Sequence, residues 1–526
     1  MFGIHPSLLL IAGALLVLIL PVRLRHVGLL AAPLALLAVL SLDLGTTWTQ
    51  PFLRYELVVL RVDELARVFA TIFALIATLS VIFALHVKTR GEHIAALMYA
   101  AGSLGVVFAG DWLTLFFCWE VMAASSVFLI WYRGTRESLA AGFRYILIHF
   151  LGGNILLGGV LLLMSQGTIA VTSLTGTGGL AYWLVLIGVG INSVIVPLHA
   201  WLTDAYPEGT VTGSVFLSAL TTKVAVCVLL RVFPGTELLI WAGVIMTIYG
   251  VIFAILENDT RRLLAYHIVS QVGFMVAGVG IGTDLALNGS TAHAYSHILY
   301  KALLFMGAGA VIYATGRRKL SDLGGLYKTM PLTAVCFTIA AMSISGVPLF
   351  NGFISKSITI YAAEKDGLAL AALGMHVASI GTFLSINLKM VYYMFFGKDA
   401  GLEPKKLPWN MSAAMALTAF LCFLYGVYPW LLYDMLPFAM QYVPFTANKV
   451  IGTVQLLLAA SAAFWLVLPK LKLDRKISLD FDWFYRGLLS LPFEWLMRGM
   501  RGVKGNVDAR GGVFFEAVAP YVHNPV

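Results

Sequence analysis

The sequence predicts an all-α polytopic membrane protein with about 14 transmembrane helices. Three observations carry that expectation. Of 526 residues, 60% are apolar and only 12% are charged, with a mean hydropathy of +0.88. Soluble domains carry about 25% charged residues, and so few charges cannot clothe a soluble protein of this size. This excludes a soluble enzyme, a nucleic-acid binder and a disordered chain. Second, apolar runs of about 20 residues, the length that crosses a bilayer, recur along the chain. Third, these runs lack the alternation of a membrane β-barrel, and runs this long suit only helices. In such a chain the net charge of +9 reads as basic loops facing anionic lipid.

The apolar runs lie at 6–21, 27–42, 66–87, 94–110, 112–131, 141–164, 182–199, 211–231, 238–257, 263–282, 293–314, 330–347, 370–396, 411–433 and 448–469. The first resembles a signal peptide but lacks a basic leader and a small-x-small cleavage site, so it reads as the first membrane helix. If 182–199 and 211–231 are halves of one broken helix the count is 14; if they cross separately it is 15. The longest polar loops are 43–64, 166–180 and 397–410. Beyond 471, LKLDRKISLDFDWFYRGLLSLPFEWLMRGMRGVKG mixes aromatic and apolar residues with Arg and Lys, as suits an amphipathic helix in the membrane interface.

Helix breakers interrupt two apolar stretches. GVGINSVIVPLHAWLTDAYPEGTVTG holds Pro197 and Pro207, and SISGVPLFNGFISK holds Pro348 and Gly352. Broken helices in corresponding halves point to an internal repeat with an ion site near the midplane. A buried lysine follows each break, Lys223 and Lys389 on this reading.

Ionisable residues within the spans are costly and mark function by default. Glu120, Lys223, His293, His297, Lys301 and Lys389 all lie inside apolar runs, with His149, His267, Arg261 and Arg262 added to them. His293, His297 and Lys301 follow i, i+4, i+8 spacing, which stacks them on one helix face. Histidine takes and gives protons near neutral pH, so such a file suits proton hopping; the plainer alternative is a structural hydrogen-bond network. A carboxylate about 4 Å from a lysine is worth about 4 kcal/mol at an effective dielectric of 20, so Glu120 and Lys223 are expected to form a switchable buried ion pair. Lys389, near FFGKD, has snorkelling to the interface as its alternative. Arg261 stays protonated and reads either as a fixed electrostatic gate or as a helix-end anchor in the headgroups. Cys118, Cys227, Cys336 and Cys422 are widely separated within apolar runs, with no CxxC or Cys/His cluster. No metal, iron–sulfur or other redox cofactor is therefore expected in this chain.

Six segments, in order over roughly 60–400, resemble the antiporter-like subunits shared by respiratory complex I and the Mrp cation/proton antiporters. They are WEVMAASS, PLHAWLTDAYPE, LTTKVAVCVLLR, NDTRRLLAYHIVSQVGFM, HAYSHILYKALLFMGAGAVIY and SISGVPLFNGFISK. Thr203 stands where the family motif has Pro, Arg261 stands where it usually has Lys, and a proline-rich stretch is missing before Lys223. The resemblance implies about 14 helices with two inverted five-helix repeats. It divides the chain into 1–92, N-terminal helices; 93–257, first repeat; 258–433, second repeat; and 434–526, last helix and amphipathic tail. It makes Glu120 the channel-entrance carboxylate, Lys223 the lysine of the first half-channel and Lys389 that of the second. Lys at that last position resembles the D-type member of the Mrp antiporters. The resemblance further implies proton and Na+ movement, partner membrane subunits and an inner (plasma) membrane location. The alternative it leaves is a proton-pumping subunit of a redox-driven complex, either complex I or a membrane-bound hydrogenase.

Overall fold

The computed structural model describes residues 4–468 with Asp480, Phe481 and Trp483. The chain divides into two units, 1–476 and 477–526; the amphipathic segment expected after 471 lies outside the described residues. In the first unit the helices run α1 Pro6–Ile19, α2 Arg25–Leu40, α3 Glu64–Ala84, α4 Arg90–Phe108, α5 Trp112–Trp131 and α6 Arg136–Ser165. They continue as α7 Gly179–Asn192, α8 Ala200–Ala205, α9 Gly213–Val232, α10 Glu237–Leu256, α11 Thr260–Ile281 and α12 Asp284–Thr315. The last are α13 Pro331–Ser345, α14 Asn351–Lys365, α15 Ala369–Phe396, α16 Trp409–Val427 and α17 Ala447–Val467. Among the described residues, 11 helices are long and apolar enough to cross a membrane, and α1, α2, α7 and α13 are shorter apolar helices. The runs at 182–199 and 211–231 form separate helices, α7 and α9, with the short α8 between them.

The helix starts follow capping chemistry. Asp63 accepts from Ala66 N at 2.8 Å to begin α3, and Thr135 with Ser138 forms a capping box at α6. Asp111 begins α5 by accepting from Thr114 N at 2.8 Å. Its other oxygen accepts from Val58 N at 2.8 Å, which docks a feature read from sequence as polar loop. Residues 47–61 form an antiparallel hairpin, β1 Thr47–Phe52 paired with β2 Tyr55–Arg61.

The most buried helices are α9 and α11, followed by α4 and α12, while most of α17 is exposed. Both predicted breaks are present. Helix α7 stops at Asn192 and the chain resumes as α8 after Pro197. Helix α13 ends at Ser345 on left-handed Gly346, and α14 starts at Asn351. Two further irregularities fall at lysines. Within α9 the ladder opens at 220: Thr221 N donates to Tyr99 Oη at 2.9 Å instead of to the carbonyl one turn back. The second half of α15, Leu384–Phe396, winds as a π-helix around Lys389; such turns recur at functional sites.

Candidate functional site

Helix α12 runs through the core and carries the central file. His293, His297 and Lys301 are fully buried on it. The two imidazoles lie 6.2 Å apart, and the Tyr300 ring is 5.2 Å from His297. Tyr300 Oη approaches His293 Nε2 and Gln271 Oε1, each at 3.4 Å. His293 Nδ1 is 3.2 Å from Ser355 Oγ on α14, and His267 Nε2 on α11 is 2.7 Å from Ser385 Oγ on α15. Neither nitrogen of His297 nor Nζ of Lys301 has a hydrogen-bond partner among the described residues. Groups buried this way are completed by water.

The lysines join this file from neighbouring helices. Lys223 is within electrostatic reach of His293, His297 and Lys301, and Lys356 is within that of His267, His293 and His297. Each lysine rests on the carbonyl end of a helix. Lys223 Nζ donates to Ser218 O, which the opening of α9 frees, and Lys356 Nζ donates to Ile344 O at the end of α13, at 2.7 Å. Lys389 Nζ donates to Ile255 O at 2.7 Å and Glu257 O at 2.5 Å, at the end of α10. Lys389 is half-buried and reaches the field of His267.

Two expectations meet a different geometry. Glu120 and Lys223 are not paired: Lys223 is engaged by Ser218, and Glu120 Oε1 packs on Gly153 of α6 without a hydrogen-bond partner among the described residues. Being mid-helix on two different helices did not bring them together. The lysine that follows the second break inside the core is Lys356, and Lys389 stands a helix later at the end of α10. Lys356 was visible in the sequence as the lysine closing SISGVPLFNGFISK; the polar look of NGFISKSITIYAAEK hid the helix that carries it.

Arg261 is buried, not in headgroups. Its Nη1 donates to Gly209 O at 2.7 Å. The 206–212 loop it grips is held from several sides. Glu208 accepts from Arg133 at 2.7 Å and Arg318 at 2.9 Å, Arg318 Nε meets Asp259 at 2.5 Å, and Glu92 accepts from Thr210 and Thr212. Asp259, outside the spans, has its carboxyl pushed up by burial despite the neighbouring Arg318.

The family described as NADH:quinone oxidoreductase/Mrp antiporter, transmembrane, matches residues 109–385, more than half of the chain. The chain belongs to this family. It is 31% identical over 414 residues to the D-type Na+/H+ antiporter protein of Alkalihalophilus pseudofirmus, covering 73% of this chain and 82% of that protein. Its fold matches a chain of the Mrp complex from a Dietzia species with a TM-score of 0.72 at 25% identity, covering 87% of this chain and 98% of the other. A chain of the membrane-bound sulfane sulfur reductase, an archaeal respiratory membrane complex, matches in fold with a TM-score of 0.77 at 22% identity, covering 99% and 98%. The protein is thus a polytopic, membrane-embedded member of the antiporter-like family. The family match takes in Glu120, Lys223, Arg261, the α12 file and Lys356, and ends before Lys389.

Proposed function

We propose that this chain is the proton-conducting membrane subunit of a multi-subunit monovalent cation/proton antiporter of the Mrp type, close to the D-type member, in the plasma membrane, with Na+ as the exchanged cation. The observation that carries the reading is the buried row from Lys223 through His297, Lys301 and His293 to Lys356 and His267, continued by Lys389 at the end of α10. A row of imidazoles and amines, with hydroxyls of Tyr300, Ser355 and Ser385 between them, takes and passes protons and offers no cage of oxygens for a cation. The first half, 93–257, supplies one broken helix and Lys223 to the row; the second, 258–433, supplies one broken helix and Lys301, Lys356 and Lys389. The similarity to a D-type antiporter protein supports the choice of assembly.

The test uses the whole complex in everted membrane vesicles with a pH-sensitive dye. Lys223→Ala and Lys301→Met abolish cation-driven dequenching while the complex still assembles on a native gel, and His297→Ala slows it. Parent rates in Lys301→Met and His297→Ala from pH 6 to 9 would make the file structural. The second reading, a proton-pumping subunit of a redox-driven complex, has the fold likeness over nearly the full chain in its favour. Flavin or iron–sulfur absorbance in the purified complex selects that reading, and its absence together with Na+-driven dequenching selects the antiporter.

A further inference from the structure

Glu120 and Lys223 do not touch, and α6 carries a buried histidine one turn from the glycine on which Glu120 packs. His149 on α6 is 1% exposed, and neither ring nitrogen has a hydrogen-bond partner among the described residues. An imidazole buried purely for packing gains nothing over phenylalanine and leaves two polar atoms unpaired. One turn further along α6, Gly153 receives the Glu120 carboxylate so closely that a Cβ there would sit 2.1 Å from Oε1. Asn192, at the end of α7 beside α6, is buried, and neither amide atom has a hydrogen-bond partner among the described residues.

On its other side His149 meets the path to Lys223. Its ring lies edge-on to Tyr145 at 4.0 Å and to Trp201 at 4.5 Å. Tyr145 Oη is 2.8 Å from Ser126 Oγ, and with Tyr99 and Tyr206 it gathers around Thr221. Tyr99 Oη is 2.6 Å from Thr221 Oγ1, and Thr221 sits two residues before Lys223 on α9. Arg144, the charged group nearest His149 in sequence, binds Asp204 at 2.7 and 2.9 Å.

We propose that His149 carries protons between Glu120 and Lys223. The proposal rests on the proton-conducting function above. A proton leaves the Glu120 carboxyl and binds one ring nitrogen; the other nitrogen releases its own proton to the hydroxyls of Tyr145, Tyr99 and Thr221. Each hydroxyl accepts one proton and gives up another, with water bridging spans longer than a hydrogen bond. The Lys223 amine becomes an ammonium. The net change is one proton moved from carboxyl to amine, with the imidazole left in its other tautomer and reset by ring rotation.

His149→Phe keeps the ring against Tyr145 and Trp201 and removes both nitrogens. In vesicles containing the assembled complex it is expected to lower the antiport rate about a hundredfold, the usual contribution of a positioned proton carrier. Gly153→Ala, which displaces the Glu120 carboxylate without removing it, is expected to lower the rate in the same direction. His149→Ala is expected to regain transport when imidazole is added, in proportion to its concentration, which lost packing alone does not produce. Lys223→Ala runs beside them. If it keeps the parent rate, the conduction function itself is wrong. If it loses transport while His149→Phe keeps the parent rate, only the carrier role is overturned. If His149→Phe does not assemble, an assembled His149→Ala that imidazole fails to rescue overturns it equally.

Discussion

Gly250→Ala tests whether the site depends on how closely α10 and α11 approach. The two helices meet through glycines. A Cβ on Gly250 would lie 2.6 Å from both Tyr266 O and Ser270 N, where ordinary contact begins near 3.4 Å. Both obstacles are backbone, so no side chain can swing away, and the helices must part by roughly 0.8 Å to accept one methyl group. Overpacking of this kind costs about 1–3 kcal/mol, and the better helix propensity of alanine offsets up to about 1 kcal/mol. The net loss is on the order of 1–2 kcal/mol. Tyr266 and Ser270 flank His267, whose Nε2 holds Ser385 Oγ at 2.7 Å. A shift of that size away from α15 stretches this contact past ordinary hydrogen-bond length, and one toward it forces the two groups into clash. The variant should therefore melt below the parent in detergent and lose antiport even where it assembles. Gly452→Ala, with nothing among the described residues within 4 Å of the new methyl group, is the control and should match the parent in both measurements. A Gly250→Ala complex with the parent's melting temperature and antiport rate would refute the close-approach argument.

Lys356→Ala should abolish antiport, whereas Lys389→Ala, removing a half-buried lysine at the end of the row, should slow it; equal losses in the same vesicle assay would count against this ranking. Arg261→Lys keeps a charge able to reach the Gly209 carbonyl and should retain most activity, while Arg261→Gln should lose it. A gate predicts that Arg261→Gln moves the pH optimum, and a loop tie predicts faster protease nicking at 206–212, so the two measurements separate the roles. Burial opposes ionisation of Asp63, but the Arg231 guanidinium at 2.5 Å, the Ala66 N–H and Arg61 together outweigh it and hold the carboxyl below its ordinary value. A lowered carboxyl stabilises the fold above the ordinary range and loses that contribution as pH falls through the lowered value. Asp63→Asn should thus melt below the parent at pH 7, with the gap closing below about pH 4.

Most of the architecture was legible because a bilayer demands about 20 apolar residues per helix and leaves no alternative to helix. The file on α12 was legible because i, i+4, i+8 spacing on a continuous helix fixes a shared face. What was hidden depends on more than one helix. Mid-helix placement of Glu120 and Lys223 says that each is buried, not that α5 and α9 bring them together. The hairpin at 47–61 is a short pair of strands docked on Asp111, too brief to show a period. Helix α14 was missed because its inner face is polar: Asn351, Ser355, Lys356 and Thr359 are buried against other helices, so hydropathy alone makes it look like a loop. The π-helical winding around Lys389 leaves no trace in an apolar run.

The separation of Glu120 from Lys223 also explains why the lysines sit where they do. A buried lysine–carboxylate pair strands an anion whenever the lysine gives up its proton, at a cost of about 3–5 kcal/mol. Lys223, Lys356 and Lys389 instead donate to carbonyls at helix ends. Such carbonyls lack a partner within the helix, and leaving one unpaired in the membrane is expensive. An ammonium satisfies it with one of three donors, and a neutral amine still has two left to do so. The carbonyl is therefore served in both protonation states, and the lysine can unload without the fold losing a hydrogen bond or stranding a carboxylate anion beside it. The breaks at 218–221 and 345–350 are what supply those carbonyls in the middle of the core. A continuous helix in either place would hold its carbonyls in the ladder and leave the lysine with nothing to donate to. The broken helices and the lysines are thus one device, and a proton reaching Lys223 changes the charge felt by His297 and Lys301 without first having to break an ion pair.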